Sequence, residues 1–523
     1  MKSSKPKLPS ISEDERSPLL DALLELINWQ EQYIEELEDE IQKLKKETRR
    51  PKLKPSKMDE ETKNGNEPRK KKGERRKKTS RLQVDEERVI EPDVIPEDAR
   101  FKGYRDIIVQ DLVIRTHNIR YRLAQYETAE GKYISGQLPQ GIHNDHWGST
   151  LHSFILYQYH HQHVTQPLLL EQLHDLGIEI SSGQLSNMLT EDLDGFHEEK
   201  DALFKAGVAH SSYIQTDDTG ARHGGKNGYC TYIGNELFAW FESTESKSRI
   251  NFLELLSRSV EKCYVLNAGA FEYMEQQKLP QSVLGKLEES SAHFTREAEW
   301  NDYLLTLGIT SDRQRKICTE GALFGGLLHQ GIPADLRIIS DDAGQFNVFN
   351  HALCWIHNER LVHRLIPVSD KQKNAVTWAR DQIWKLYADL ISYKKSPEQS
   401  LAERIKSDFE RLCSSTTDYE TLNQVFKRMG KNQHELLRVL EFPDLPLHNN
   451  LSERDIRDYV KKRKISGSTR SENGRRCRDT FASLKKTCRK HGISFWNYLL
   501  DRISGAGVLP SMAEIIQNSA CGL

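Results

Sequence analysis

No two of the eight cysteines in this 523-residue chain are spaced as C-x-x-C. They stand singly at Cys230, Cys263, Cys318, Cys354, Cys413, Cys477, Cys488 and Cys521, so neither a zinc ribbon nor a secreted disulfide scaffold is expected. Reduced thiols in a cytoplasm are the default. An apolar run of ~18 residues or more is also missing, so no membrane span is expected. The opening MKSSKPKLPSISEDERS lacks an apolar core, which argues against a signal peptide. Net charge is nearly absent: 75 Lys and Arg against 77 Asp and Glu leave −2. That balance hides local contrasts, and the length predicts several domains.

The contrasts organise the chain. Over 17–48, Leu20, Ile27, Ile34 and Ile41 repeat every seven residues, with Leu23, Gln30, Leu37 and Leu44 on the companion position. This predicts a coiled coil, and through it a homo-oligomer; the bland alternative is an amphipathic helix packed on its own domain. Residues 49–96 are rich in Lys, Arg, Glu and Pro and include RKKKGERRKK at 69–78, which predicts a disordered basic linker able to meet phosphates without sequence preference. Alternation in DIIVQDLVIRTHNIRYRLAQYET predicts a small β-rich module over 97–140.

Residues 141–200 turn helical. WGSTLHSFILYQYHH, PLLLEQLHDLG and SSGQLSNMLTEDL predict three helices, the second closed by Gly177. The pattern is compatible with a helix-turn-helix DNA reader and equally with a helical linker. His160, His161 and His163 are taken as surface polar residues rather than metal ligands. From 205 to 505 strands and helices mix, which predicts an α/β domain with a mixed sheet and helical insertions near 260–330 and 370–440. In it, Tyr229–Ile233 and Leu237–Phe241 form a hairpin around Gly234-Asn235, HALCWIH is a strand, and NERLVHRLI begins a helix. Residues 506–523 are a C-terminal tail.

Two segments share one design. YIQTDD and RIISDD each run a short apolar strand into paired aspartates, Asp217-Asp218 and Asp341-Asp342. Either can be a polar turn. Together, acids held at strand ends of one sheet repel each other unless a cation lies between them, and hard oxygen ligands suit Mg²⁺ or Mn²⁺. Two such ions about 3.5–4 Å apart serve phosphodiester chemistry. Glu453, 112 residues beyond Asp341, is the candidate third carboxylate. Its local alternative is a capping box, with Asn450 as N-cap, Glu453 at N3 and an ion pair to Arg457.

The surroundings favour the site. From Arg454 to Lys490 there are 14 Lys or Arg and four Asp or Glu, a balance of +10. KKRKISGSTRSENGRRCR predicts a flexible basic loop. DTFASLKKTCRKHG predicts a helix with Phe481, Leu484 and Cys488 inward and Lys485, Lys486, Arg489 and Lys490 outward. Basic groups that hold phosphates beside acids that hold metals make a nuclease-like pattern.

TDDTGAR at Asp217, ISDDAGQF at Asp341, CWIHNER at 354–360 and NNLSER at Glu453 occur in that order. With GSTRSENGRR downstream, the chain over about 140–505 resembles the DDE transposases of bacterial insertion sequences, specifically the insertion-sequence-sixty-six family. The resemblance implies a ribonuclease-H-like core in which Asp217, Asp341 and Glu453 are catalytic and hold two Mg²⁺ (or Mn²⁺). It also implies cleavage at transposon ends and attack of the freed 3′-hydroxyl on target DNA. Arg454, Arg457, Lys461, Lys462, Arg463, Arg470, Arg475 and Arg476 are the expected DNA contacts, and His357, Arg360, Asn449 and Asn450 the expected supports. Accessory transposition proteins and a bacterial, nucleoid-associated cytoplasmic location are part of the same expectation. Residues 97–140 depart from the family by lacking the cysteines of its zinc module, and the Asp217–Asp341 span is long. A non-catalytic coiled-coil DNA-binding protein and a related metal-dependent nuclease remain the alternatives.

Overall fold

The computed structural model describes residues 83–96, 98–139, 142, 146–258, 260–288 and 293–521. The expected coiled coil and the 69–78 basic run lie outside them. The chain divides into two units, Met1–Leu112 and Val113–Leu523. In the first, the described residues are exposed. Within 97–140 the described strands are β1 (Gln125–Glu127) and β2 (Tyr133–Ser135), an antiparallel pair with all six residues exposed.

Four helices follow: α1 (Ser149–Leu156), continued by a π-helical turn over Tyr157–His161, then α2 (Gln166–Asp175), α3 (Ser182–Thr190) and α4 (Asp194–Ala209). Ser181 caps α3 in a reciprocal capping box with Gln184. His160, His161 and His163 are not surface residues. His160 is 6% exposed and the other two are half-buried, because the π-turn folds back onto the domain core.

The central sheet has five strands: β3 (Tyr213–Gly220), β4 (Tyr229–Gly234), β5 (Ala239–Thr244), β8 (Arg337–Ser340) and β9 (Asn350–Leu353). Their order is β5-β4-β3-β8-β9; the first two pairings are antiparallel and the last two parallel. The α/β class with a mixed sheet is therefore as expected. The β4–β5 hairpin turns where Asn235 Oδ1 accepts from Leu237 N at 2.9 Å. A Cβ on Gly234 would lie 2.4 Å from the Phe238 carbonyl oxygen, so only glycine fits there.

Between β5 and β8 lie α5 (Arg249–Ser257), β6 (Tyr264–Val265), α6 (Ala268–Gln276), α7 (Gln281–Glu288), β7 (His293–Phe294), α8 (Glu297–Thr306) and α9 (Asp312–His329). After β9 come α10 (Trp355–His363), α11 (Asp370–Lys395), α12 (Gln399–Ser414), α13 (Glu420–Lys431), α14 (Gln433–Leu436), α15 (Asn450–Ser466), α16 (Glu472–Lys490), α17 (Phe495–Ser504) and α18 (Met512–Cys521). Met512 and Ile516 of α18 are fully buried, so 506–523 ends in a docked helix. One buried cluster joins Leu185, Phe204, Trp240, Leu323, Ile338 and Phe481.

Helix α16 closes the sheet edge. Asp479 Oδ2, Ser483 Oγ and Thr487 Oγ1 accept from the backbone N–H groups of Ser243 (2.7 Å), Phe241 (2.9 Å) and Ala239 (3.1 Å). Four helical residues rise about 6 Å and two strand residues about 6.6 Å, so the two periods match. An edge that would otherwise offer unpaired donors is satisfied by side chains. Thr487→Val keeps the shape but leaves the buried Ala239 N–H without an acceptor. It should cost about 1–3 kcal/mol in a denaturant melt; an unchanged midpoint would show that water takes the acceptor's place.

Candidate active site

Strands β3 and β8 set the first two carboxylates side by side. They are parallel neighbours in the register Tyr213↔Arg337, Ile214↔Ile338, Gln215↔Ile339. Asp217 and Asp341 each stand two residues further along. Strand β3 continues to Gly220 because β4 still pairs with it, with Asp217 opposite Tyr232, whereas β8 stops at Ser340. The two strands part at the aspartates, and the carboxyl end of a parallel pair is where open α/β sheets form crevices.

Helix α15 covers the same face. Residues two apart share a face of a strand, so Gln215 and Asp217 point the same way. Gln215 Oε1 accepts from Ser452 N at 3.3 Å, and the Tyr232 hydroxyl donates to Asp455 Oδ2 at 3.0 Å. Glu453 lies between these anchors. The N-cap of α15 is Asn449, which makes no side-chain cap bond, so the expected capping box on Asn450 is not formed. The ion pair to Arg457 is replaced too. Glu453 Oε1 accepts from Arg360 Nη1 at 3.0 Å and lies 3.4 Å from His357 Nε2. Both partners sit on α10, which begins at Trp355 rather than after His357. That earlier start puts positions 357 and 360 on one helical face.

The electrostatics tie the three acids together. The Asp217 carboxyl is pushed up to about 7, first by burial and then by the Asp341 carboxylate. Asp218 and Glu453 add to the rise, and the Asp218 N–H, 2.8 Å from Asp217 Oδ1, opposes it. Burial lowers the His357 imidazole, against the pull of Glu453. Several buried polar atoms here have no hydrogen-bond partner: Asp341 Oδ1, His357 Nδ1, and both amide atoms of Asn449, which is 1% exposed. Among the described residues no three His, Cys, Asp or Glu side chains stand close enough together to enclose a metal ion. Glu453 instead pairs with Arg360 and His357 of α10. The donor set still fits a hard divalent cation: oxygen ligands, one of them the buried, unpartnered Asp341 Oδ1, and an Asp217 carboxyl pushed up by burial and by its acidic neighbours.

The neighbouring acids face other partners. Asp218 Oδ2 accepts from Gln345 Nε2 at 2.6 Å, and Asp342 Oδ2 accepts from Arg428 Nε at 2.7 Å and Asn432 Nδ2 at 3.2 Å. The loop carrying Gln345 is gripped by Arg249, whose guanidinium donates to the Gly344 carbonyl (Nη2, 2.8 Å) and reaches the Tyr273 hydroxyl (3.2 Å) and Glu320 (3.4 Å) in the insertion. Sequence reasoning missed Gln215, Arg249 and Gln345, whose partners lie 24 to 237 residues away.

The basic residues divide. Arg454, Arg457, Lys461, Arg470 and Arg476 are exposed, Arg476 within 3.4 Å of Asp194. Arg463 is half-buried and donates to Thr219 Oγ1 at 3.1 Å, beside the end of β3; half-buried Arg475 pairs with Glu472. Lys462 is buried, its ammonium on the Tyr159 carbonyl at 2.8 Å, away from the surface. On α16, Lys485 and Lys486 are buried and Lys490 half-buried rather than outward, because α15 offers them Asp455 and Asp458; only Arg489 of the four is exposed.

Two comparisons bear on this arrangement. Residues 338–476, which hold Asp341, His357, Arg360 and Glu453, match the model of the family described as "Transposase IS66 family". The chain is also 43% identical over 318 residues to the uncharacterized protein y4jO of Sinorhizobium fredii (strain NBRC 101917 / NGR234), a match that spans 60% of this chain and 99% of that protein. The family match covers the segment bearing two of the three candidate carboxylates: the chain belongs to the IS66 transposase family.

Proposed function

We propose that this transposase-family chain is a DDE enzyme with a ribonuclease-H-like core. It would cut DNA at transposon ends and join the freed 3′-hydroxyl to target DNA. The observation that carries the reading is the matched placement of Asp217 and Asp341 on adjacent parallel strands, with Glu453 presented over the same face. The strand order, three antiparallel then two parallel, supports the core type.

Asp217, Asp341 and Glu453 would hold two Mg²⁺ or Mn²⁺ ions, with Asn449 a further oxygen donor. Such ions would supply activation of the attacking oxygen and stabilisation of the leaving one. The chain's own part is positioning. Arg360 keeps Glu453 at the site mouth and becomes free to meet a phosphate when Glu453 turns inward. Arg463, held on Thr219 Oγ1 beside the end of β3, and the exposed Arg454 and Arg457 of the same helix suit the DNA backbone. Partners in this reading are transposon-end and target DNA, a second copy of the chain through 17–48, and accessory transposition proteins. Incubating the protein with Mg²⁺, end DNA and a plasmid tests it: end DNA joined to the plasmid is expected, and cutting without joining would leave only a nuclease.

Arg249 serves this site as a positioning residue, linking the insertion to the loop that holds Asp218. Arg249→Met should lower kcat about tenfold with KM for DNA little changed, and Arg249→Lys should recover part of it. Equal loss in both variants, with a matching fall in melting temperature, would assign Arg249 to stability alone.

A further inference from the structure

Between α15 and α16 five basic side chains are packed against two carboxylates. The five are Lys462, Arg478, Lys485, Lys486 and Lys490, and the acids are Asp455 and Asp458. Lys485 takes Asp458 at 2.7 Å and Lys490 takes Asp455 at 2.7 Å, which uses both carboxylates. Lys486 is left 3.7 and 3.8 Å from them. Lys462 has the Tyr159 carbonyl and ring, and Arg478 donates to the Gly467 carbonyl at 3.1 Å. Among the described residues no other carboxylate pairs with these groups. Positive charge enclosed without a counter-charge is costly in a low-dielectric interior. Burial, with Arg478 and Lys485 adding, lowers the Lys462 ammonium to about 7.

A cavity of about 20 Å³ lies among Lys462, Arg478, Lys485, Lys486, His160 and His163, with Asp455 and Asp458 also in its lining, so the four cations there outnumber two carboxylates. It has room for one particle the size of a water molecule. Two nitrogens of its lining residues, His160 Nε2 and His163 Nδ1, are buried and have no hydrogen-bond partner. His160 is buried, and that burial beside Lys462 and Lys485 keeps its imidazole neutral, with one N–H to donate.

We propose that this cavity binds a single small monovalent anion, of chloride size, between α15 and α16. Water fills the same space but brings no charge. Sulfate, a DNA phosphate and organic carboxylates are too large for it. The bound anion ties α16 to α15, the helix whose first turn carries Glu453. The inference rests on charge and volume alone and stands whether or not the chain cuts DNA.

The test is thermal melting of the full chain at fixed ionic strength in chloride, bromide or gluconate, together with anomalous diffraction from crystals grown in bromide. Chloride and bromide should raise the melting temperature by roughly 1–3 °C over gluconate and saturate. Bromide should give a peak inside the cavity, and Lys486→Met should remove the halide dependence. Equal melting in all three salts, or an undiminished halide shift in Lys486→Met, would overturn the proposal. Should that variant not fold, the wild-type bromide map decides: a water there and no bromide rejects the site.

Discussion

Asp341→Asn is expected to reduce DNA-end cleavage about a thousandfold or more, with fold and DNA binding retained; Asp217→Asn and Glu453→Gln should do the same. In the proposed site each change would remove one anionic ligand of a shared cation, a loss of several kcal/mol from the transition state, and each 1.36 kcal/mol is tenfold in rate. The amide replacements keep size and hydrogen-bonding shape. Asp341 Oδ1 has no partner in the folded chain, so losing its charge breaks no existing bond. Glu453→Gln does cost the charge-assisted bond from Arg360, on a half-exposed pair where the stability loss is within about 1 kcal/mol. A rate loss with unchanged melting supports the assignment. Normal cutting by Glu453→Gln would refute the triad.

Metal-free protein should lose stability as pH rises, and Asp217 should account for much of that loss. Its folded carboxyl sits at about 7 against 3.8 unfolded. The native state therefore binds the proton more tightly. The stability this gives is complete below about pH 4 and is lost as pH rises through 7. A shift of this size corresponds to roughly 2–4 kcal/mol after allowing for partial solvent access. In chelator, melting temperature should fall between pH 5 and pH 8, and Asp217→Asn should flatten much of the fall. Mg²⁺ at pH 8 should restore the wild type and leave the variant unmoved. A wild-type profile flat from pH 5 to 8 would mean the carboxylates do not repel one another as described.

How much of this was legible in the sequence depended on range. The strands bearing Asp217 and Asp341 were readable because a short apolar run ends in acids, and the β4–β5 hairpin because Gly234-Asn235 demands a turn. The grip of Arg360 on Glu453 was not. It depends on α10 starting at Trp355, where a buried Cys354 and the tryptophan extend the apolar pattern of β9 and disguise the helix start. The inward lysines of α16 were missed for a related reason. Charge on a helix suggests a solvated face until a second helix supplies Asp455 and Asp458. The polar spacing of Asp479, Ser483 and Thr487 was visible, but its partner was an edge strand some 240 residues away.

The central claim is that Asp217, Asp341 and Glu453 serve one metal site. Anomalous diffraction from the full chain bound to end DNA and Mn²⁺ tests it most directly. The account predicts manganese between Asp217 and Asp341, with Glu453 turned from Arg360 onto the ion. Manganese bound elsewhere, or a DNA-cutting protein whose three carboxylates hold none, would contradict it.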